Sequence, residues 1–294
     1  MNASLRLRDI VASELAEPVE PRVRDIAAAV AAQHPAAARA VLFYGSCLRE
    51  KQLEGLMLDF YLIVSDYREA YDRRWLATAN RLIPPNVFPF AWQGLSAKYA
   101  VLSEADFARE CSTTARSVSV WARFAQPARL VWSADAAAED RAVEAISQAA
   151  PTLFALTRPA LPPERRDEPL AVFREGFALT YGAEIRAERK NRPGSIVDTD
   201  PKRYVRVGQA VLAQAPAVSP VQGSWRARQR KGKLITVARL AKASLTFAGG
   251  VDYLAWKISR HSGVPIEVKP WQRRWPLLAA VTLLPRLLKK GAIR

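Results

Sequence analysis

The sequence predicts an α+β protein: a small mixed sheet near the N-terminus, a mainly helical part, and a C-terminal amphipathic helix suited to a membrane surface. Three observations carry that expectation. Apolar runs of strand length at 40–44, 57–64 and 97–103 cluster early in the chain. From Glu104 onward apolar residues recur mainly at helical spacing. The segment 270–294 mixes tryptophan, aliphatic and basic residues and contains no acid.

Residues 5–32 read as helix, with Ile10, Val11, Leu15, Val23, Ile26 and Val30 at roughly helical spacing and a break at 18–21. The alanine-rich piece 26–40 can extend it past Pro35. The run AVLFY (40–44) ends in Gly45-Ser46, a buried strand entering a turn. MLDFYLIV (57–64) is the second strand, 67–83 is helical, and AKYAVLS (97–103) is the third strand. Helix is expected over 104–126 and 136–150. The Pro-rich segment 158–169 marks a boundary. Residues 170–192 then read as one long helix, and another helical region starts near Lys202. A Pro/Gly/Ser break at 215–224 precedes the basic tail. Three parts follow: 1–157, 158–224 and 225–294.

Charge is segregated. The formal charge is +16, and residues 221–294 hold 16 Lys/Arg against Asp252 and Glu267, so nearly all the excess sits in the last quarter. Such asymmetry points to an anionic partner, either nucleic acid or an acidic lipid surface. The only cysteines, Cys47 and Cys111, form no CxxC pair, so a disulfide framework or structural zinc is not expected and a reducing cytosolic compartment fits. With His34 and His261 as the only histidines, a His-rich metal centre is excluded and a Ser-His-Asp triad has almost no candidates. No signal peptide is expected. The strongest charge-free apolar block, 275–285, has 11 residues where a spanning helix needs about 20.

The segment VLFYGSCLREKQLEGLMLDFYLIV (41–64) carries the chemistry. A strand, Gly-Ser, 12 residues and an Asp in a second strand is the layout of a nucleotidyltransferase. Gly45 lets the backbone approach a triphosphate, while Ser46 and nearby N–H groups can donate to phosphate oxygens. Asp59 can hold a Mg²⁺ that bridges those phosphates. The second carboxylate usual two residues on is replaced by Tyr61.

Taken together, the segments resemble the mitochondrial translocator assembly and maintenance family of phosphatidate cytidylyltransferases (CDP-diacylglycerol synthases), in a bacterial form. The resemblance rests on Tyr44-Gly45-Ser46, Leu58-Asp59-Phe60, Lys98-Tyr99-Ala100-Val101, the 122–127 helix end, Thr180-Tyr181-Gly182-Ala183-Glu184-Ile185-Arg186 and Arg230-Lys231-Gly232. It runs discontinuously from about residue 40 to about 250. Departures are Cys47, Ala100 and Ala122 where glycine is usual, Glu184 for Asp, and Tyr71 where His is common.

The resemblance implies conversion of CTP and phosphatidic acid to CDP-diacylglycerol and pyrophosphate, with Mg²⁺ or another hard divalent cation. Asp59 is the metal ligand. Asp66 is either a second carboxylate or a helix N-cap before Tyr67. Glu184, sharing a helical face with Tyr181 and Glu188, binds the metal, orients the attacking phosphate or pairs with neighbouring arginines. Lys98 and Arg123 are phosphate clamps or surface charges; Tyr44, Gly45, Ser46, Tyr181 and Arg186 complete the CTP-side set. Arg230 and Lys231, in a cationic stretch with Arg239 and Lys242, are expected to meet phosphate-bearing substrate or lipid. Trp271, Arg273, Arg274, Trp275, Lys289 and Lys290 are expected to hold 270–294 at an anionic membrane, on the cytoplasmic face of the inner membrane, or else that helix packs on the protein. No nucleic acid is expected. The alternatives are a nucleotidyltransferase acting on RNA or a small soluble acceptor, and a non-catalytic membrane-surface protein with a degenerate nucleotide fold.

Overall fold

The computed structural model describes residues 6–50, 53, 55–183, 196–214, 224–246 and 268–270, without the side chains of 49, 50, 240, 241 and 243–246. All of the predicted segment 270–294 after Pro270, with its tryptophans and basic residues, lies outside them, as do Glu184, Arg186 and Glu188.

The fold is α+β, built on a five-stranded mixed sheet. The strands are β1 (Ala38–Tyr44), β2 (Met57–Val64), β3 (Asn86–Trp92), β4 (Leu95–Ser103) and β5 (Ala128–Ser133), in the order β3-β4-β2-β1-β5. β2 and β4 are parallel; the other pairs are antiparallel. Helices α1 (Leu7–Leu15) and α2 (Pro21–Ala31) precede the sheet, and a short α3 (Ser46–Glu50) follows β1. Between β2 and β3 lie α4 (Tyr67–Ala70) and α5 (Arg74–Leu82). After β4 come α6 (Glu104–Cys111) and α7 (Ser119–Phe124); after β5 come α8 (Ala136–Ser147), α9 (Ala149–Thr157), α10 (Pro169–Tyr181), α11 (Pro201–Gln214) and α12 (Trp225–Thr246). Among the described residues no helix is long and apolar enough to cross a membrane.

Strand alternation sends successive side chains to opposite faces, so each strand feeds two cores. Val41, Phe43, Leu58, Phe60, Leu62, Tyr99 and Val101 pack beneath α2, α4 and α5. Leu42, Tyr61, Ile63, Ala100 and Leu102 pack beneath the larger helical layer with Phe107, Trp121, Phe154, Phe173 and Tyr204. That second cluster draws residues from both sides of the Pro-rich segment 158–169.

The three apolar runs are strands as predicted, and two strands were not foreseen. β3 contains Pro89 and follows Pro84-Pro85, residues that break a strand pattern; as an edge strand it tolerates a residue without an N–H. β5 interrupts the expected helical stretch and lies at the other edge. The helix expected over 104–126 is two helices, because Ser103 caps the first and a polar loop, 112–118, separates them. The extension of α2 past Pro35 does not occur; the helix stops at Ala31 and β1 starts at Ala38.

The long helix over 170–192 is also corrected. α10 ends at Tyr181, followed by Gly182, a poor helix former, while Gln229 Nε2 from α12 donates to the Leu179 carbonyl at 3.3 Å. The rest of that expected helix, 184–192, lies outside the described residues.

Candidate active site

The sheet places the predicted residues on one line across its strands. Tyr44 on β1 is opposite Asp59 on β2, and Asp59 is beside Lys98 on β4. The line ends with Ala128 on β5 and Pro89 on β3. Directly paired positions share a face, so Tyr44, Asp59 and Lys98 point toward the larger helical layer. Two residues further along, Leu42, Tyr61 and Ala100 lie within the core. The polar line is thus the end of an apolar surface.

Gly45 makes the close approach possible. Its φ is +95°, and a Cβ built on it would stand 3.0 Å from Asp59 Oδ2. Glycine alone combines that backbone conformation with room for the carboxylate. Ser46 begins α3 immediately afterward. Lys98 Nζ lies 2.9 Å from Asp59 Oδ1, with the two side chains 26% and 20% exposed. Oδ1 is buried and receives no aligned hydrogen bond, so the contact is an ion pair.

Arg123 reaches this line from α7. It hydrogen-bonds the Tyr44 side chain and donates to the Ser119 carbonyl. Burial, followed by the nearby Asp59 and Tyr61, pushes the Tyr44 hydroxyl well above its ordinary range, against the opposing effect of Arg123. Tyr44 therefore stays protonated and neutral. With Lys98 on Asp59 and Arg123 on the neutral Tyr44, the line carries a net positive charge, suited to a polyanion.

Of the two readings of Asp66, the structure shows the helix N-cap. Asp66 sits past the far end of β2, roughly 23 Å from Asp59 at strand rise. It is the N-cap of α4, accepting from Arg68 N at 2.7 Å, with Arg81 at 3.6 Å. No second carboxylate from Asp66 joins Asp59. Tyr61, at the position where one is usual, is 2% exposed and packs against Tyr44, Phe107 and Phe124 at centroid distances of 5.3, 6.5 and 5.2 Å. Sequence reasoning missed this aromatic floor; its only signal is the strand alternation that puts Tyr61 on the face of Asp59. Tyr181 closes α10, half-buried against the helical core.

The basic tail divides into two sets. Arg230 and Lys231 are exposed on α12, as are Arg226 and Lys233. Arg239 and Lys242 instead turn inward, contrary to their expected place in a lipid-facing stretch. Arg239 donates to the Pro84 carbonyl (2.7 Å), Ser119 Oγ (2.7 Å) and Ser117 Oγ (3.1 Å). Lys242 donates to the carbonyls of Ile83 and Pro85, the latter at 2.8 Å. Together they fasten α12 to the turn between α5 and β3.

A cavity of about 500 Å³ lies between α1, α8, α9 and α11, lined in part by Leu7, Gln148, Phe154 and Val211, and does not include Asp59. No protein-family model matches the chain, and no match to a curated protein is found.

Proposed function

We propose that this chain is a nucleotidyltransferase that transfers the cytidylyl group of CTP to phosphatidic acid at a membrane surface, forming CDP-diacylglycerol and pyrophosphate. The observation that carries the reading is the contact between the Gly45 bend and the Asp59 carboxylate, with Lys98 and Arg123 beside them. This layout supports assigning the sheet to the nucleotidyltransferase fold.

The donor set suits one hard divalent cation such as Mg²⁺, which is held by one or two carboxylates together with substrate phosphates and water. Asp59 offers a buried oxygen without an aligned hydrogen bond, which Lys98 Nζ approaches at 2.9 Å. When bound, the cation would neutralise charge on the phosphates of CTP. The Ser46 hydroxyl and the amides of the bend would donate to phosphate oxygens; Lys98 and Arg123 would hold the remaining negative charge. A phosphatidate oxygen forms the new bond to the α-phosphorus, and the α–β bridging P–O bond breaks as pyrophosphate leaves. The monoester oxygen is already ionised, so a general base is not required.

Membrane attachment rests on the exposed cations of α12 and on the composition of 270–294. Each basic side chain near an anionic surface contributes about 1 kcal/mol.

One observation favours a second reading, a non-catalytic protein on the same fold: Lys98 already neutralises Asp59, and Tyr61 replaces a second carboxylate. Pyrophosphate release, measured with each of the four NTPs, Mg²⁺ and phosphatidate vesicles, RNA or soluble phosphate acceptors, separates the readings. Release with CTP and phosphatidate supports ours; release with RNA or a soluble acceptor alone, or with none, rejects it.

A further inference from the structure

We infer that Arg239 is a positioning residue for the site: it holds the start of α7 and, through Ser119, sets where Arg123 stands on the Asp59 line. This role rests on the nucleotidyl-transfer reading of that line.

α7 depends on outside contacts. It has six residues, and Val118 at its N-cap makes no side-chain capping bond. A helix this short is marginal by itself, and its first N–H groups have no partner within it. The serines at and just before its start are gripped from α12. Arg239 donates Nη1 to Ser119 Oγ at 2.7 Å and Nη2 to Ser117 Oγ at 3.1 Å, while Nε goes to the Pro84 carbonyl at 2.7 Å. One rigid guanidinium fork thus joins α12, α7 and the turn before β3, and bonds from a charged donor are roughly twice as strong as neutral ones. The grip is sheltered: Ser117 and Ser119 are both buried.

Ser119 has a second partner. Its carbonyl accepts from Arg123 Nη1, one helical turn on, and the Arg123 side chain also hydrogen-bonds Tyr44. Arg123 is therefore seated on the very residue whose hydroxyl Arg239 holds. Tyr44 in turn stands opposite Asp59 across β1 and β2. A path of side-chain hydrogen bonds runs from α12 through Arg239, Ser119 and Arg123 to the line. Lys242 supplies the contrast, since its bonds to the Ile83 and Pro85 carbonyls fasten the same helix to the turn and not to α7. Displacing a substrate-holding group by about 1 Å can cost about 10²-fold in rate, so the seat of Arg123 matters to turnover.

Initial rates of pyrophosphate release from CTP, with Mg²⁺ and phosphatidate vesicles and the full-length protein, test the role. Arg239→Met should lower kcat/KM for CTP about tenfold, the effect of a shifted clamp. Lys242→Met, which loosens the same helix, should leave it near the wild-type value. In an Arg123→Lys background, Arg239→Met should add less than about twofold, because residues that act through one another are not additive. Thermal unfolding shows which variants fold. Where Arg239→Met does not, Ser119→Ala, which removes the hydroxyl and keeps the carbonyl, should lower the same ratio about threefold, the loss of one hydrogen bond, with the same non-additivity. An equal fall in Lys242→Met, full additivity with Arg123→Lys, or wild-type turnover in folded Arg239→Met overturns the role. A wild type that releases no pyrophosphate ends the nucleotidyl-transfer reading and this role with it. An active wild type with any of those three results ends this role alone.

Discussion

Lys98 Nζ stands 2.9 Å from Asp59 Oδ1 because β2 and β4 pair in parallel with these two residues side by side. Neither side chain is deeply buried, and ion pairs open to solvent contribute about 0–1 kcal/mol. The pair therefore adds little to stability, and its consequence is local: a carboxylate held between a glycine bend and a lysine.

Asp59→Asn should accordingly separate activity from folding. Pyrophosphate release from CTP with phosphatidate should fall by about 10²–10³-fold or more, the loss expected for a preorganised electrostatic group. The melting temperature should shift by less than about 4 °C, since about 1 kcal/mol moves a protein of this size by roughly 2–4 °C. Parallel kinetics and thermal unfolding check both; full activity in the variant removes Asp59 from the site.

Gly45→Ala acts on the same contact from the backbone side. A φ of +95° is strained for any L side chain, and the new methyl would lie 3.0 Å from Asp59 Oδ2. Strain of this kind costs about 1–3 kcal/mol. The carboxylate must also rotate away, so turnover should drop more than the stability loss alone explains. Denaturant unfolding and initial rates on the same preparation would show it; a variant with unchanged turnover would mean that the close approach is incidental.

These two residues also show how far the sequence could be read. A continuous apolar run ending in Gly-Ser, and an Asp inside a second run, are local patterns, and β1, β2 and the bend follow from them. That Lys98 stands beside Asp59 is not local: β4 joins β2 across α4, α5 and β3, so their register appears only once the sheet is assembled. Asp66 was ambiguous for the opposite reason. Seven residues looks close in sequence, but along an extended strand it spans the sheet. Arg239 and Lys242 read as part of a solvated cationic run until tertiary packing gives them the carbonyls of the 83–85 turn.

A buried ion pair, remote from Asp59, ties the helical layer together. Arg203 on α11 donates Nε and Nη2 to Glu14 on α1 at 2.7 and 2.9 Å, and Nη1 to the Ala125 carbonyl at 3.1 Å. Both side chains are nearly inaccessible. Removing one partner strands the other, so Glu14→Gln or Arg203→Met should each cost about 3–5 kcal/mol. The double variant Glu14→Leu/Arg203→Met should recover much of that, because no charge is left buried. Equilibrium denaturation of the three variants measures the coupling; additive losses would contradict it.

Lys242 supplies a pH dependence with a definite sign. Burial, with a smaller contribution from Arg239, brings its pKa down from 10.5 to about 7 while its Nζ donates to the carbonyls of Ile83 and Pro85. Between those values the unfolded chain holds the proton and the folded chain does not, so stability should rise with pH through this window. Below about pH 7 both states are protonated, and this residue's contribution stays flat. The contrast to measure is the denaturation midpoint of the wild type minus that of Lys242→Met, from pH 6 to 10. That difference should be constant up to about 7 and then climb toward higher pH. A flat difference throughout would mean that the amine titrates as it does in the unfolded chain, its burial offset by the bonds to the Ile83 and Pro85 carbonyls.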